Sequence, residues 1–220
     1  MTKKELSESV LFKLAGGIPD TNFPIEERGI FAAIEKKVNA LFKLRHFDTT
    51  LNSGETIPEN TMIATYTSRT VTALPNSQQS QATLPITPIS LPKSMGIFLI
   101  YPDNRPDMPF IPIQRGTRAL LRVDELLNDM MGQISFEPKN NVIVFSKDLT
   151  LLGLSTITME LCVFDMSQYS ATAELPIPAD FIETIEQELI KEFAPVMPES
   201  AIVNNWSTAG QNVPNNANSK

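Results

Sequence analysis

Few side chains in this 220-residue chain are of types that do chemistry, and they are scattered along it. The one histidine, His46, lies in Leu44-Arg45-His46-Phe47-Asp48, with Asp48 two residues on. A metal or acid/base role for it needs a second ligand or an orienting partner, and no cysteine or further histidine lies nearby. The plain expectation is a histidine on the surface or at a helix end. A Ser-His-Asp arrangement has no Gly-x-Ser-x-Gly elbow to nominate its serine. Asp103 and Asp107 flank Arg105 in Tyr101-Pro-Asp-Asn-Arg-Pro-Asp107, a grouping that a carbohydrate or cation site can use. A proline-studded segment rich in Asp and Asn is ordinarily a turn.

Glu183, Glu186, Glu188 and Glu192 cluster near the end of the chain. Paired carboxylates can carry general acid/base work, yet at helical spacing they are expected to form a solvated helix face. Arg115, Arg118 and Arg122 fall in one segment and can make a small positive patch for DNA, for an acidic neighbour, or for nothing. Gly16-Gly17 has neither the phosphate-loop spacing nor the later glycine of a dinucleotide fingerprint, and reads as a helix stop. The nine methionines, with the pair Met130-Met131, are core filler or an adaptable surface. No residue is nominated as catalytic, cofactor-binding or metal-binding, so the expectation is a protein that is not an enzyme and takes no cofactor.

The totals agree with that expectation. A formal net charge of -7 and a pI near 4.8 disfavour a chain whose main task is gripping a phosphate backbone. An acidic wall suits DNA that passes by without being held. Cys162 is the only cysteine, so no disulfide forms within one chain and synthesis in a cytoplasm fits. The Met-Thr-Lys-Lys-Glu-Leu start lacks a signal-peptide core, and no run approaches the roughly 20 apolar residues of a membrane span. Hydrophobic content of 42% and charged content of 20% are those of a folding chain.

The elements follow from periodicity. Thr2 and Glu5 form a capping-box pattern ahead of Leu6, Val10, Leu11 and Leu14, and the resulting helix stops at Gly16-Gly17. Thr21 or Asn22 can cap a second helix with Pro24 in its first turn. Its stripe of Ile30, Phe31, Ile34, Val38, Leu41 and Phe42 predicts an end near Leu44 and a helical hairpin with the first. From about Thr61 the texture becomes β-like. Strands are expected over Met62–Val71 and Gly96–Tyr101, the latter covered on both faces. A hairpin is expected from Ile134–Phe136 to Val142–Phe145 around the loop Glu137–Asn141, with a half-buried strand at Thr156–Val163. Between Gly116 and Met131, a strand followed by a short helix is a reading left open. Ala73–Lys93, with Pro75, Pro85, Pro88 and Pro92, reads as an extended arm able to reach over a neighbouring subunit. Leu175-Pro-Ile-Pro-Ala-Asp180 opens a last amphipathic helix that Pro195 stops.

The expected class is therefore α+β. Residues 1–60 form an N-terminal helical hairpin and connector, and 61–174 a β-rich, sandwich-like core with the arm 73–93. Residues 175–197 form a C-terminal helix, and 198–220 a flexible polar tail around Trp206.

This order of elements resembles the ring and neck structural proteins of crAss-like and related podoviral phages. The residues that carry the likeness are Glu5–Gly17 (Glu-Leu-Ser-Glu-Ser-Val-Leu-Phe-Lys-Leu-Ala-Gly-Gly), the helix Ile25–Leu44, and Leu175–Phe193. The resemblance implies a virion protein of the head-to-tail connector, made in the host cytoplasm and assembled as a homo-oligomeric ring, a homododecamer in that family. Its partners would be the portal and other neck and tail proteins, DNA would pass non-specifically through the lumen, and no membrane would be involved. The alternative is a β-sandwich module on a virion surface, binding a host glycan or protein through the Asp103–Asp107 turn.

Overall fold

A computed structural model describes residues 1–17, 25–54, 56–92, 95–113 and 134–194. The chain divides into two compact units, one of Met1–Leu41 with Asp165–Lys220, the other of Phe42–Phe164. The class is α+β, with helices at the two ends of the sequence and a β-rich middle.

The first unit is helical. Helix α1 (Lys3–Ala15) is opened by a complete capping box: the Thr2 hydroxyl accepts from the Glu5 amide and the Glu5 carboxylate accepts from the Thr2 amide. It ends where Gly16 turns left-handed at φ 66°, as the glycine pair leads one to expect. Helix α2 (Glu27–Ser53) meets α1 at its start, where the Ser7 hydroxyl donates to Glu27 and the Lys3 ammonium lies 5.6 Å from the Phe31 ring centroid. The cap expected at Thr21 or Asn22 lies outside the described residues. Helix α3 (Ala179–Phe193) packs on α1, and the chain ahead of it bridges back to the N-terminus through the Thr2–Glu174 pair and the Leu175 amide on the Met1 carbonyl. Leu6, Val10, Leu14, Ile30, Ile34, Ile185 and Leu189 are buried in this unit.

Helix α2 does not end near Leu44 but continues to Ser53. Every fourth residue from Ile30 is buried, through Ile34, Val38 and Phe42 to His46, so the stripe includes the histidine. The residues that follow are poor helix formers, but the hydroxyls of Thr49, Thr50 and Ser53 donate to the carbonyls of Arg45, His46 and Thr49 and stay inside the helix. Gly54, at φ 72°, supplies the stop.

The second unit holds two sheets. One has the order β1 (Ile63–Thr70), β8 (Thr156–Cys162), β4 (Ile97–Pro102), antiparallel throughout. The other runs β2 (Thr72–Ala73), β3 (Ser80–Thr83), β7 (Val142–Phe145), β6 (Ser135–Lys139), β5 (Ile111–Pro112), with only the β5–β6 pair parallel. Both sheets feed one core: Tyr66, Ile100, Ile157 and Met159 from the first share it with Ala82, Phe136, Ile143 and Phe145 from the second. The Phe110 and Phe145 rings meet edge-on at 5.2 Å, a geometry that adds about 1 kcal/mol to what area burial contributes.

Four expectations for this unit change. The hairpin loop is shorter than Glu137–Asn141: Pro138 and Lys139 pair with Ile143 and Val142, and Asn140 takes the left-handed turn at φ 53°. Strand β4 is an edge strand covered mainly on one face, with Phe98 37% exposed, while the alternating strand β8 is central and buried on both faces at Thr158 and Cys162. The segment Ala73–Lys93 is not an arm. It supplies Ala73 of β2 and all of β3, it buries Ala82, Leu84, Ile89 and Leu91, and the Ile89 amide donates to the Cys162 carbonyl. Its prolines sit outside the short ladder, which is why they do not prevent pairing. Lys93 itself lies outside the described residues. Gly96 lets this segment approach, since a Cβ there would stand 2.3 Å from the Ile89 carbonyl oxygen.

Candidate interaction surface

The charged residues that invited a chemical reading are held by their neighbours. In Glu186 the carboxylate is buried and accepts from the Ser9 hydroxyl and the Lys13 ammonium of α1. Burial acts to raise its pKa, but these donors outweigh it and hold the carboxyl below its usual range. It is therefore not part of a solvated face. Glu188 and Glu192 both reach Lys37 of α2 at 3.2 Å, and their hydrogen bonds push the ammonium above its ordinary value. Glu183 stays on the exposed side, bonded to Gln187.

Asp103 closes the end of the first sheet. Its carboxylate accepts from Thr158 at 2.6 Å, and with Thr156 and Ser68 also hydrogen-bonded to it, the hydroxyls outweigh the opposing effect of burial and lower its pKa. Ser68 sits in the β1 bulge between Tyr66 and Arg69, with φ at 54°. Beside it, burial and then the Glu160 carboxylate raise the Tyr101 phenol, which donates to Glu160 at 3.1 Å. Arg105 turns to the Met108 sulfur, and Asp107 is exposed. Asp103 thus joins β1, β4 and β8, and Arg105 and Asp107 are not drawn to it by any hydrogen bond or ion pair among the described residues.

His46 is buried on α2 rather than at the surface or a helix end, and no group of three or more potential metal ligands occurs among the described residues. Cys162 is fully buried, its thiol donating to the Met95 carbonyl and pushed by burial up to about 12, which leaves it inert as a nucleophile. Arg115, Arg118, Arg122 and Met130-Met131 lie outside the described residues.

The unspent chemistry is apolar and on the surface. On α2, Leu44 is 63% and Leu51 81% exposed, with half-buried Phe47 between them, and Ile57 follows at 67%. A second display lies in the turn after β7. The Asp148 carboxylate accepts from the amide and hydroxyl of Thr150, and the Leu152, Gly153 and Leu154 amides close the turn on Leu149 and Thr150. The buried Ser80 hydroxyl bonds the Lys147 carbonyl and the Leu149 amide, anchoring the turn to β3. Leu149 points into the core while Leu151 is 80% and Leu152 55% exposed. A turn fixed by this many hydrogen bonds holds its leucines outward.

No family model and no curated protein matches this chain.

Sequence reasoning missed both displays. For α2 the signal was available in His46, which continues the buried four-residue ladder and so turns Leu44 and Leu51 away from it. For the turn it was Leu151-Leu152-Gly153 following Asp148, a capped turn carrying apolar side chains where polar ones are usual.

Proposed function

We propose that this chain is a non-enzymatic structural subunit that assembles with copies of itself. The observation that carries the reading is the display of large apolar side chains on well-built elements, Leu44 and Leu51 on α2 and Leu151 and Leu152 on the fixed turn. Such residues gain about 25 cal/mol for each Å² that a partner covers, and grouped exposure of this kind marks protein contacts. The acidic total fits a subunit that lets DNA pass without holding it.

By its resemblance, the setting we propose is a homo-oligomeric ring in the neck or tail of a tailed-phage virion, joining portal and tail and forming part of the DNA conduit. The alternative of a glycan- or protein-binding β-sandwich module draws little support from its nominated turn, because the Asp103 carboxylate is already bonded by hydroxyls of its own sheet. Electron micrographs of the purified chain, alone and mixed with the products of neighbouring genes, test the assignment. Closed rings, and the chain in purified virions by mass spectrometry, are expected. A chain that stays monomeric in every mixture and is absent from virions overturns it.

A further inference from the structure

The exposed and half-buried apolar residues near the end of α2 have a spacing of their own. Leu44, Phe47 and Leu51 stand at i, i+3 and i+7, which is the a, d, a pattern of a coiled-coil seam. Lys43 then takes the flanking g position and Asp48 the e position. Neither makes an ion pair with another side chain among the described residues. When two such helices lie parallel and in register, g of one faces e of the other, setting Lys43 against Asp48 across the seam. An antiparallel pairing instead places g beside g and e beside e, so Lys43 and Asp48 fall on opposite flanks and no pair forms between them.

We infer that Leu44, Phe47 and Leu51 form a seam occupied by the same residues of a second copy of this chain, parallel and in register, with Lys43–Asp48 pairs on its flanks. The inference rests on the self-assembling reading above and specifies the surface and orientation that it uses. The same g-to-e contact joins neighbours in a two-fold pair and in any larger cyclic arrangement of parallel copies, so the seam is compatible with a closed ring. Two helical turns bury less than the roughly 1,000 Å² of a stable interface, so the seam fixes orientation and other exposed residues add area.

The test uses the full-length chain. Cys162 is buried, so a single introduced cysteine reports alone. Leu51→Cys is expected to cross-link with itself on mild oxidation, because like a positions face each other in a parallel seam, whereas an antiparallel seam sets an a position against a d position, Leu51 against Phe47. Lys43→Glu and Asp48→Lys are each expected to weaken association roughly fivefold at low salt. The double variant is expected to restore it, and the differences should fade as salt is raised. An assembled chain with no Leu51→Cys cross-link and no rescue by the double variant overturns the seam and leaves self-assembly standing. A chain that is monomeric at every concentration overturns both. Leu51 and Asp48 are exposed and Lys43 is half-buried, so unchanged circular dichroism is expected for each variant.

Discussion

In the helical unit, three acidic residues of α3 are turned onto basic residues of α1 and α2: Glu186 onto Lys13, and Glu188 and Glu192 onto Lys37. In the β unit, charge is spent at the sheet end around Asp103 and the surface carries grease. Of the nine large apolar residues exposed among the described residues, only Phe12 belongs to the helical unit; Leu44, Leu51, Ile57, Phe98, Met108, Ile111, Leu151 and Leu152 belong to the other. The contrast separates two uses of a surface. Charges paired within a chain hold that chain together, while apolar groups left outside a finished core are available to another chain. The exposed leucines of the β unit lie outside its buried core, so folding draws little on them.

The largest way to break this contrast is in the core itself. Phe145→Ala removes a ring packed against Phe110 and Phe136 and is expected to destabilise the protein by about 3–5 kcal/mol in urea unfolding. Gly96→Ala comes next, since its methyl group meets a backbone carbonyl that no side-chain rotation can clear. A loss of about 1–3 kcal/mol is expected, and a neutral result would mean that the Pro88–Ile89 backbone gives way.

Glu186 sharpens the helical side of the comparison. Glu186→Ala leaves Lys13 and Ser9 without their acceptor and is expected to cost about 1–3 kcal/mol. Its pH dependence has a definite sign. Because the folded carboxyl titrates below its ordinary value of about 4.3, its contribution is full above that value and is lost as pH falls through the lowered one. Acid titration of the wild type should therefore show a loss of stability that Glu186→Gln lacks. The smallest stability effect belongs to the turn: Leu151→Ser with Leu152→Ser should change unfolding by less than about 0.5 kcal/mol at each site while reducing self-association.

Much of the fold was legible because short-range signals agreed with the tertiary outcome. The Thr2–Glu5 box, the Gly16 stop, the strand at Thr156–Cys162 and the start of α3 are local, and all appear in the structure, although that strand is buried on both faces rather than one. The misjudged parts depend on contacts distant in sequence. Ala73–Lys93 looks unstructured by its prolines, yet its apolar residues find partners in β7 and β8. The end of α2 was obscured by Thr49, Thr50 and Ser53, whose hydroxyls satisfy the helix from within. Glu186 looked solvated because spacing along one helix says nothing about the lysine on another. The surface displays were the least legible, since exposure of a leucine is decided by what the rest of the chain fails to cover.

Sedimentation of the full-length chain across a wide concentration range, beside Leu44→Asp with Leu51→Asp, tests the account most directly. An oligomer for the wild type that falls to monomer in the variant, with secondary structure intact, is the expected result. A wild type that sediments as a monomer throughout, or a variant that assembles as well as the wild type, would contradict it.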